Sequence, residues 1–195
     1  MTGRREEVLD AAIEVLGTGG LRRLTYQAVD AAAGVPQGTT SNHFRNRDLL
    51  VEGVVTHIAT LDARDWGTFA ETPAAGDPAE LAGALARVVQ HVLGPARSRT
   101  AARYALALEG IARPTVREPL NRARESLIDL TSAWLRELGS PTPLEDCRTL
   151  FTYLEGLIFQ HVTTPRESFD PEPGIRTVLS ALLPDGADGR GGREG

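Results

Sequence analysis

Residues 24–47 read LTYQAVDAAAGVPQGTTSNHFRNR, and the fold is decided in this stretch. Leu24 ends a glycine-rich break, and Thr25 carries the hydroxyl of a helix N-cap. The segment from there to about Ala32 has helical periodicity. Gly34 supplies the left-handed residue of a tight turn. Pro36 suits the first position of a short third helix, about 36–43, because its missing N–H is no loss there. A helix, a tight turn and a second short helix are the parts of a helix-turn-helix. In such a pair the second helix enters the major groove of DNA, which is wide enough to hold it.

The side chains of that third helix suit the task. Gln37, Thr39, Thr40, Ser41, Asn42 and His43 carry hydrogen-bonding groups of a size that reaches base edges or phosphates. Gly38 lets backbone approach a phosphate closely, and Phe44 is the apolar anchor behind. Arg47, in the first turn of a fourth helix, and Thr25, at the start of the second, are placed to meet phosphates.

Outward from this segment the pattern stays helical. Val8, Leu9, Ala12, Ile13 and Leu16 form one face of a first helix, with Gly17 to Gly20 as its stop. Asn46 caps the fourth helix, whose apolar face runs Leu49, Leu50, Val54, Val55, Ile58 and Leu61. Residues 72–77 read as a linker, and Asp77 with Glu80 opens a fifth helix that ends at Gly94-Pro95. Further helices are expected over about 98–112, 116–138, 143–163 and 174–183, with Thr142 and Glu145 as a capping box for the third of these. Between Leu150 and Val162 apolar residues go most of the way round the helix. Such a helix must be covered on nearly every side, and a second subunit is one way to cover it. Residues 184–195 are too rich in glycine and charge to pack and are expected to be a disordered tail. The fold class is therefore all-α, nine or ten helices, divided into 1–50, 51–183 and the tail 184–195.

Composition narrows the function. The chain of 195 residues carries a net charge of -5, which by itself argues against nucleic acid. The distribution reverses that argument: within 22–47 stand four arginines and one acid, and the acidic excess lies beyond. A single cysteine, Cys147, excludes an internal disulfide framework, and no apolar run is long enough to span a bilayer. The first residues lack the apolar stretch of a signal peptide, so a cytoplasmic location is expected. His57, His91 and His161 lack metal-ligand spacing, and no nucleophile-elbow, zincin or phosphate-loop motif occurs. No cofactor, metal or catalytic activity is expected.

The ordered pattern Leu24-Thr25-x-x-Ala28-Val29-x-x-Ala32-Ala33-Gly34-Val35-x-x-Gly38-Thr39-x-x-x-His43-Phe44-x-x-Arg47-x-x-Leu50 resembles the N-terminal DNA-binding domain of the TetR/AcrR family of repressors. The resemblance covers about residues 5–58, and the rest of the chain agrees only in outline. Two positions depart from the family. Asp30 stands where relatives carry a small residue, and either alters the packing of the second and third helices or faces solvent. Ser41 and Asn42 stand where relatives carry aromatics, often the tyrosine that meets a phosphate, and Tyr26 is a candidate substitute.

The resemblance implies a homodimeric repressor on an inverted-repeat operator, released by a small-molecule effector. It implies a dimer interface through the helices at 116–138 and 143–163, with Leu127, Trp134, Tyr153, Leu154, Leu157 and Phe159 as candidates. Trp66, Phe69, Gln90, Tyr104, Leu108, Glu109, Ile111 and Trp134 are candidates to line an effector pocket, being large apolar groups with a few polar ones among them. Two competing classes are a structural DNA-binding protein without a sensor and, supported by no constellation in the chain, an all-helical enzyme. Ligand-induced gains in thermal stability separate the sensor from the first of these.

Overall fold

The computed structural model describes residues 3–70, 77–165 and 168–183, except for the side chains of 66–70. These residues form nine α-helices and no strand: α1 Arg4–Gly19, α2 Tyr26–Ala33, α3 Thr39–His43, α4 Arg47–Ala70, α5 Pro78–Leu93, α6 Arg97–Gly110, α7 Pro114–Glu137, α8 Pro143–Thr163 and α9 Glu172–Leu182. A single 3-10 turn, Leu21–Arg23, links α1 to α2. The fold class is all-α, as the periodicity requires. The expected tail at 184–195 and most of the linker at 72–77 lie outside the described residues.

The chain forms two compact units, one from Met1–Thr68 with His91–Glu125, the other from Phe69–Gln90 with Ser126–Gly195. In the first unit α1 is central and packs on α2, α3 and α6. Its buried face is Val8, Leu9, Ala12, Ile13 and Leu16, the residues whose spacing predicts it. Leu24, Val29, Phe44, Leu50, Val54, Val55, Ile58 and Leu106 complete one continuous core. His57 Nε2 lies 2.7 Å from Asp10 Oδ1, a polar tie between α4 and α1 at the edge of that core.

Helix α1 ends within the expected Gly17–Gly20 break: it runs to Gly19, and Gly20 at φ 69° ends it. Gly17 also serves close packing: a Cβ there would overlap the Ser98 backbone, so α6 crosses α1 at a point that tolerates only hydrogen. Two helix starts and one cap differ from the sequence reading. Helix α3 starts at Thr39, not Pro36, because Gly38 takes a left-handed φ of 95° that a helix cannot continue through. Helix α7 starts at Pro114 and runs on through Pro119. Thr142 makes no side-chain cap to α8; Ser140 Oγ instead donates to Asp146 Oδ2 at 2.5 Å in that first turn. Other caps agree with the sequence: Asn46 Oδ1 accepts from Leu49 N at 2.8 Å, and Asp77 Oδ1 from Ala79 N at 2.7 Å.

In the second unit Leu81, Leu85, Val89, Leu135, Leu150, Leu154, Ile158, Ile175 and Leu179 are buried, and α9 packs on α8. Cys147 is fully buried and its thiol donates to the Ile128 carbonyl at 3.4 Å. Burial, helped by the charge of Asp129, pushes that thiol up to about 12. A thiol so raised stays protonated at neutral pH and has little nucleophilic character.

Candidate nucleic-acid interface

The first unit builds its exposed polar helix from the inside out. Thr25 Oγ1 accepts from Ala28 N at 3.2 Å and starts α2. Gly34, at φ 62°, closes α2, and its N–H donates to the Ala31 carbonyl. The chain then reverses through Val35–Gly38 into α3. Phe44, directly after α3, is 3% exposed, and its N–H donates to the Thr40 carbonyl at 2.9 Å. Its ring lies against Gly53 of α4, where a Cβ would come within 2.7 Å of Cε1. The guanidinium of Arg5 lies over the ring, 5.1 Å from its centroid. The anchor role expected of Phe44 is thus met by three elements: α1, α3 and α4.

The expected contact residues separate into two groups. Gln37, Ser41, Asn42 and His43 are exposed, and Gly38 and Thr39 are half-buried. Ser41 Oγ donates to the Gly38 carbonyl at 2.9 Å and Thr39 Oγ1 to the Pro36 carbonyl at 2.6 Å, so both hydroxyls support the first turn of α3. Thr40 is the correction in this set. It is 0% exposed, with Oγ1 donating to Asp30 Oδ1 at 2.5 Å, and its side chain cannot reach a groove. Tyr26 is a second correction. Its hydroxyl is buried without a hydrogen-bond partner among the described residues and its ring packs on the core, so it does not replace a phosphate-binding tyrosine. Arg47 is exposed and donates to the Leu21 carbonyl at 2.7 Å, tying the start of α4 to the 3-10 turn that carries Arg22 and Arg23. Arg22, Arg23 and Arg45 are exposed as well, so the basic residues counted in the sequence do reach the surface.

Asp30 is the residue whose role the sequence left open. It is 3% exposed and does not face solvent. Its Oδ2 accepts from Gly38 N at 2.7 Å, and its Oδ1 accepts from Thr40 N at 2.8 Å in addition to the Thr40 hydroxyl. Burial pushes this carboxyl up, but the Thr40 hydroxyl and the Thr40 and Gly38 amides outweigh it, and the group ends below the usual aspartate value. An acid where relatives carry a small residue, eight positions before a turn glycine, was the available signal.

The candidates for an effector pocket fall in both units, Tyr104, Leu108, Glu109 and Ile111 in the first and Gln90 and Trp134 in the second. Leu108 and Ile111 are 66% and 75% exposed. Glu109 accepts from Arg113 at 3.1 Å, an arginine also bonded to Asp48. Gln90 is exposed, while Tyr104 and Trp134 are half-buried; the side chains of Trp66 and Phe69 lie outside the described residues. None of the six whose side chains are described lines either of two clefts in the first unit, of about 570 and 170 Å³. The larger has Asp65, His91 and Arg99 among its lining residues. There Asp65 takes hydrogen bonds from Arg99 and His91, while Arg99 and Arg103 also hold Asp62. Burial pushes Asp65 up, but the hydrogen bonds from Arg99 and His91 more than offset it and leave it below its usual value.

Of the expected interface residues, Phe159 is 48% exposed, Leu127, Trp134, Tyr153 and Leu157 are half-buried, and Leu154 is buried at 7%. Among the described residues no group of three or more His, Cys, Asp or Glu is arranged to hold a metal ion, and no helix is long and apolar enough to cross a membrane.

An N-terminal helix-turn-helix followed by a larger set of helices defines a DNA-binding transcriptional regulator. Residues 8–54 match the family described as bacterial regulatory proteins, tetR family, and residues 76–185 match the tetracyclin repressor-like C-terminal domain. The chain belongs to the TetR family of transcriptional regulators. Similar solved structures include a TetR-family member from Streptomyces coelicolor A3, 32% identical over 94% of this chain and 99% of that one, with a TM-score of 0.71. The multidrug binding protein EbrR complexed with ethidium is 32% identical over 93% of this chain and 99% of that one, with a TM-score of 0.67. A transcriptional regulator from Rhodococcus sp. Rha1 shares the fold at 22% identity, covering 91% of this chain and 95% of that one, with a TM-score of 0.76. No curated protein matches the chain.

Proposed function

We propose that this protein is a repressor that holds an inverted-repeat operator as a homodimer and releases it when a small molecule binds outside the DNA-binding head. Residues 1–50 form the head in this reading, and 51–183 the sensing and dimerising body. The observation that carries it is the exposed polar face of Gln37, Ser41 and Asn42, set among the exposed arginines 22, 23, 45 and 47. Thr25, Gly38, Thr39 and His43 complete the proposed DNA contacts, with Arg47 on a phosphate. A two-fold dimer presents two such helices, so the half-sites recur about one DNA turn, roughly 34 Å, apart.

Selection of bound duplexes from a random pool tests this reading. Inverted repeats are expected, and a folded dimer that retains no duplex at low ionic strength overturns it. Arg47→Ala is expected to weaken all duplexes alike and to flatten the salt dependence by about one unit of log K against log salt. An unaltered slope removes Arg47 from the phosphate contacts.

Exposed Phe159 on α8 and Leu130 on α7, 48% and 39% accessible, support dimerisation through these two helices. Phe159→Glu is expected to weaken the dimer by at least about 30-fold, as for loss of an interface hot spot. Sedimentation equilibrium of the variant reads this directly; an unchanged dimer places the interface elsewhere. The sensing half is supported by EbrR, seen with ethidium, proflavin and malachite green bound. Ethidium and proflavin are therefore the first compounds to titrate. An effector is expected to raise the unfolding temperature without DNA and to lower operator affinity with it.

A further inference from the structure

Building on the DNA-binding reading above, we propose that Asp30 and Thr40 form a buried strut that seats the reading helix, and that this pair sets how sharply the protein discriminates between duplex sequences. Helix α3 has five residues, Thr39–His43, far too few to be stable on its own. Its orientation must come from fixed points at its two ends. Phe44 supplies one by apolar packing. The other end has no apolar anchor of that size: Pro36 and Gln37 are exposed, and Gly38 has no side chain.

Asp30 supplies the second point. It lies on α2, which is held by its own cap at Thr25 and its own stop at Gly34. Three donors converge on its two oxygens from across the turn: the Gly38 amide, the Thr40 amide and the Thr40 hydroxyl. Both partners are sealed from water, Asp30 at 3% exposure and Thr40 at 0%. Hydrogen bonds to an ionised acceptor are the stronger kind. A carboxylate only accepts, so all three donors are matched; an amide in its place would turn an NH₂ group toward one of them.

Gln37, Ser41 and Asn42 all lie within three residues of Gly38 or Thr40, so a shift at the strut displaces them. Base-edge contacts need that geometry, whereas the phosphate attraction that governs non-specific binding does not. Loss of the strut therefore lowers specific affinity selectively. Asp30 and Thr40 are positioning residues: neither touches the duplex.

The test compares the duplex recovered by selection with a scrambled duplex of the same length, at one salt concentration and well below each variant's unfolding midpoint. Asp30→Ala and Thr40→Val are expected to lower the ratio of specific to scrambled affinity by about tenfold or more. In Thr40→Val, which changes no charge, scrambled-duplex affinity and the salt slope should not change. Thr40→Ser, which keeps the hydroxyl, is expected to restore the ratio. In the free protein, Asp30→Ala should speed exchange of the Gly38 and Thr40 amides relative to Val29 by about the same factor. Unchanged ratios in folded Asp30→Ala and Thr40→Val proteins overturn the proposal, as do unchanged exchange rates. Should Asp30→Ala not fold, the contrast between Thr40→Val and Thr40→Ser decides. Should the native protein prefer no duplex, the DNA-binding reading fails, and the exchange rates still decide whether the strut holds α3.

Discussion

Replacing Phe44 with alanine is expected to cost about 3–5 kcal/mol of stability, the usual range for a buried aromatic. Three losses combine. The ring is 3% exposed, so most of its transfer energy is forfeited. The space it leaves cannot close easily, because the neighbouring residue on α4 is Gly53, which has no side chain to move in, with Leu9 behind it. Arg5 then loses the ring face over which its guanidinium sits, a contact worth about 0.5–1 kcal/mol at an exposed site. A domain of this kind has about 5–15 kcal/mol in all, so the loss takes from roughly a fifth to the whole of that margin. Phe44→Leu, which refills part of the volume, should cost less than half as much. Chemical denaturation of the two variants measures both values. A loss below about 1 kcal/mol in Phe44→Ala would show that the pocket collapses, and that Phe44 is not the anchor of α3.

The residues that identified the fold are those whose chemistry is local. Thr25, Gly34, Asn46 and Asp77 act within three or four positions of themselves, and each does in the structure what its place in the sequence implies. The α1 core face was legible for the same reason, since helical spacing is a property of neighbours. What was not legible depends on contacts far along the chain. Gly17 reads only as part of the glycine stop of α1 until α6 is seen to cross it at Ser98. Thr40 reads as one more hydroxyl on an exposed helix until Asp30, ten positions earlier, turns it inward. Leu108 and Ile111 read as pocket walls because apolar side chains are expected inside, yet both stand in the open. The polar face of α3 was thus recovered as a face, while its division into outward residues and a buried support was not.

That division leads to the other large effect. Asn42→Asp is expected to lower operator affinity by at least about 100-fold, since a like charge set against an interface costs several kcal/mol. The exchange is nearly isosteric: one NH₂ becomes an oxygen. Asn42 is exposed, and its side chain makes no hydrogen bond among the described residues, so stability should change by no more than about 0.5 kcal/mol. The whole effect then lies in binding. The new carboxylate can only accept hydrogen bonds, where the phosphates and most major-groove edges near it also accept. It meets the polyanion at the point of closest approach, where few ions intervene to screen it. Asn42→Ala separates the two contributions, because it removes the amide without adding charge, and should cost about 1–3 kcal/mol at one base position alone. Kd values for the selected duplex at two salt concentrations measure all three proteins. If Asn42→Asp binds as tightly as the native protein, α3 does not lie in the groove, and the arginines at 22, 23, 45 and 47 would have to hold the DNA by another face.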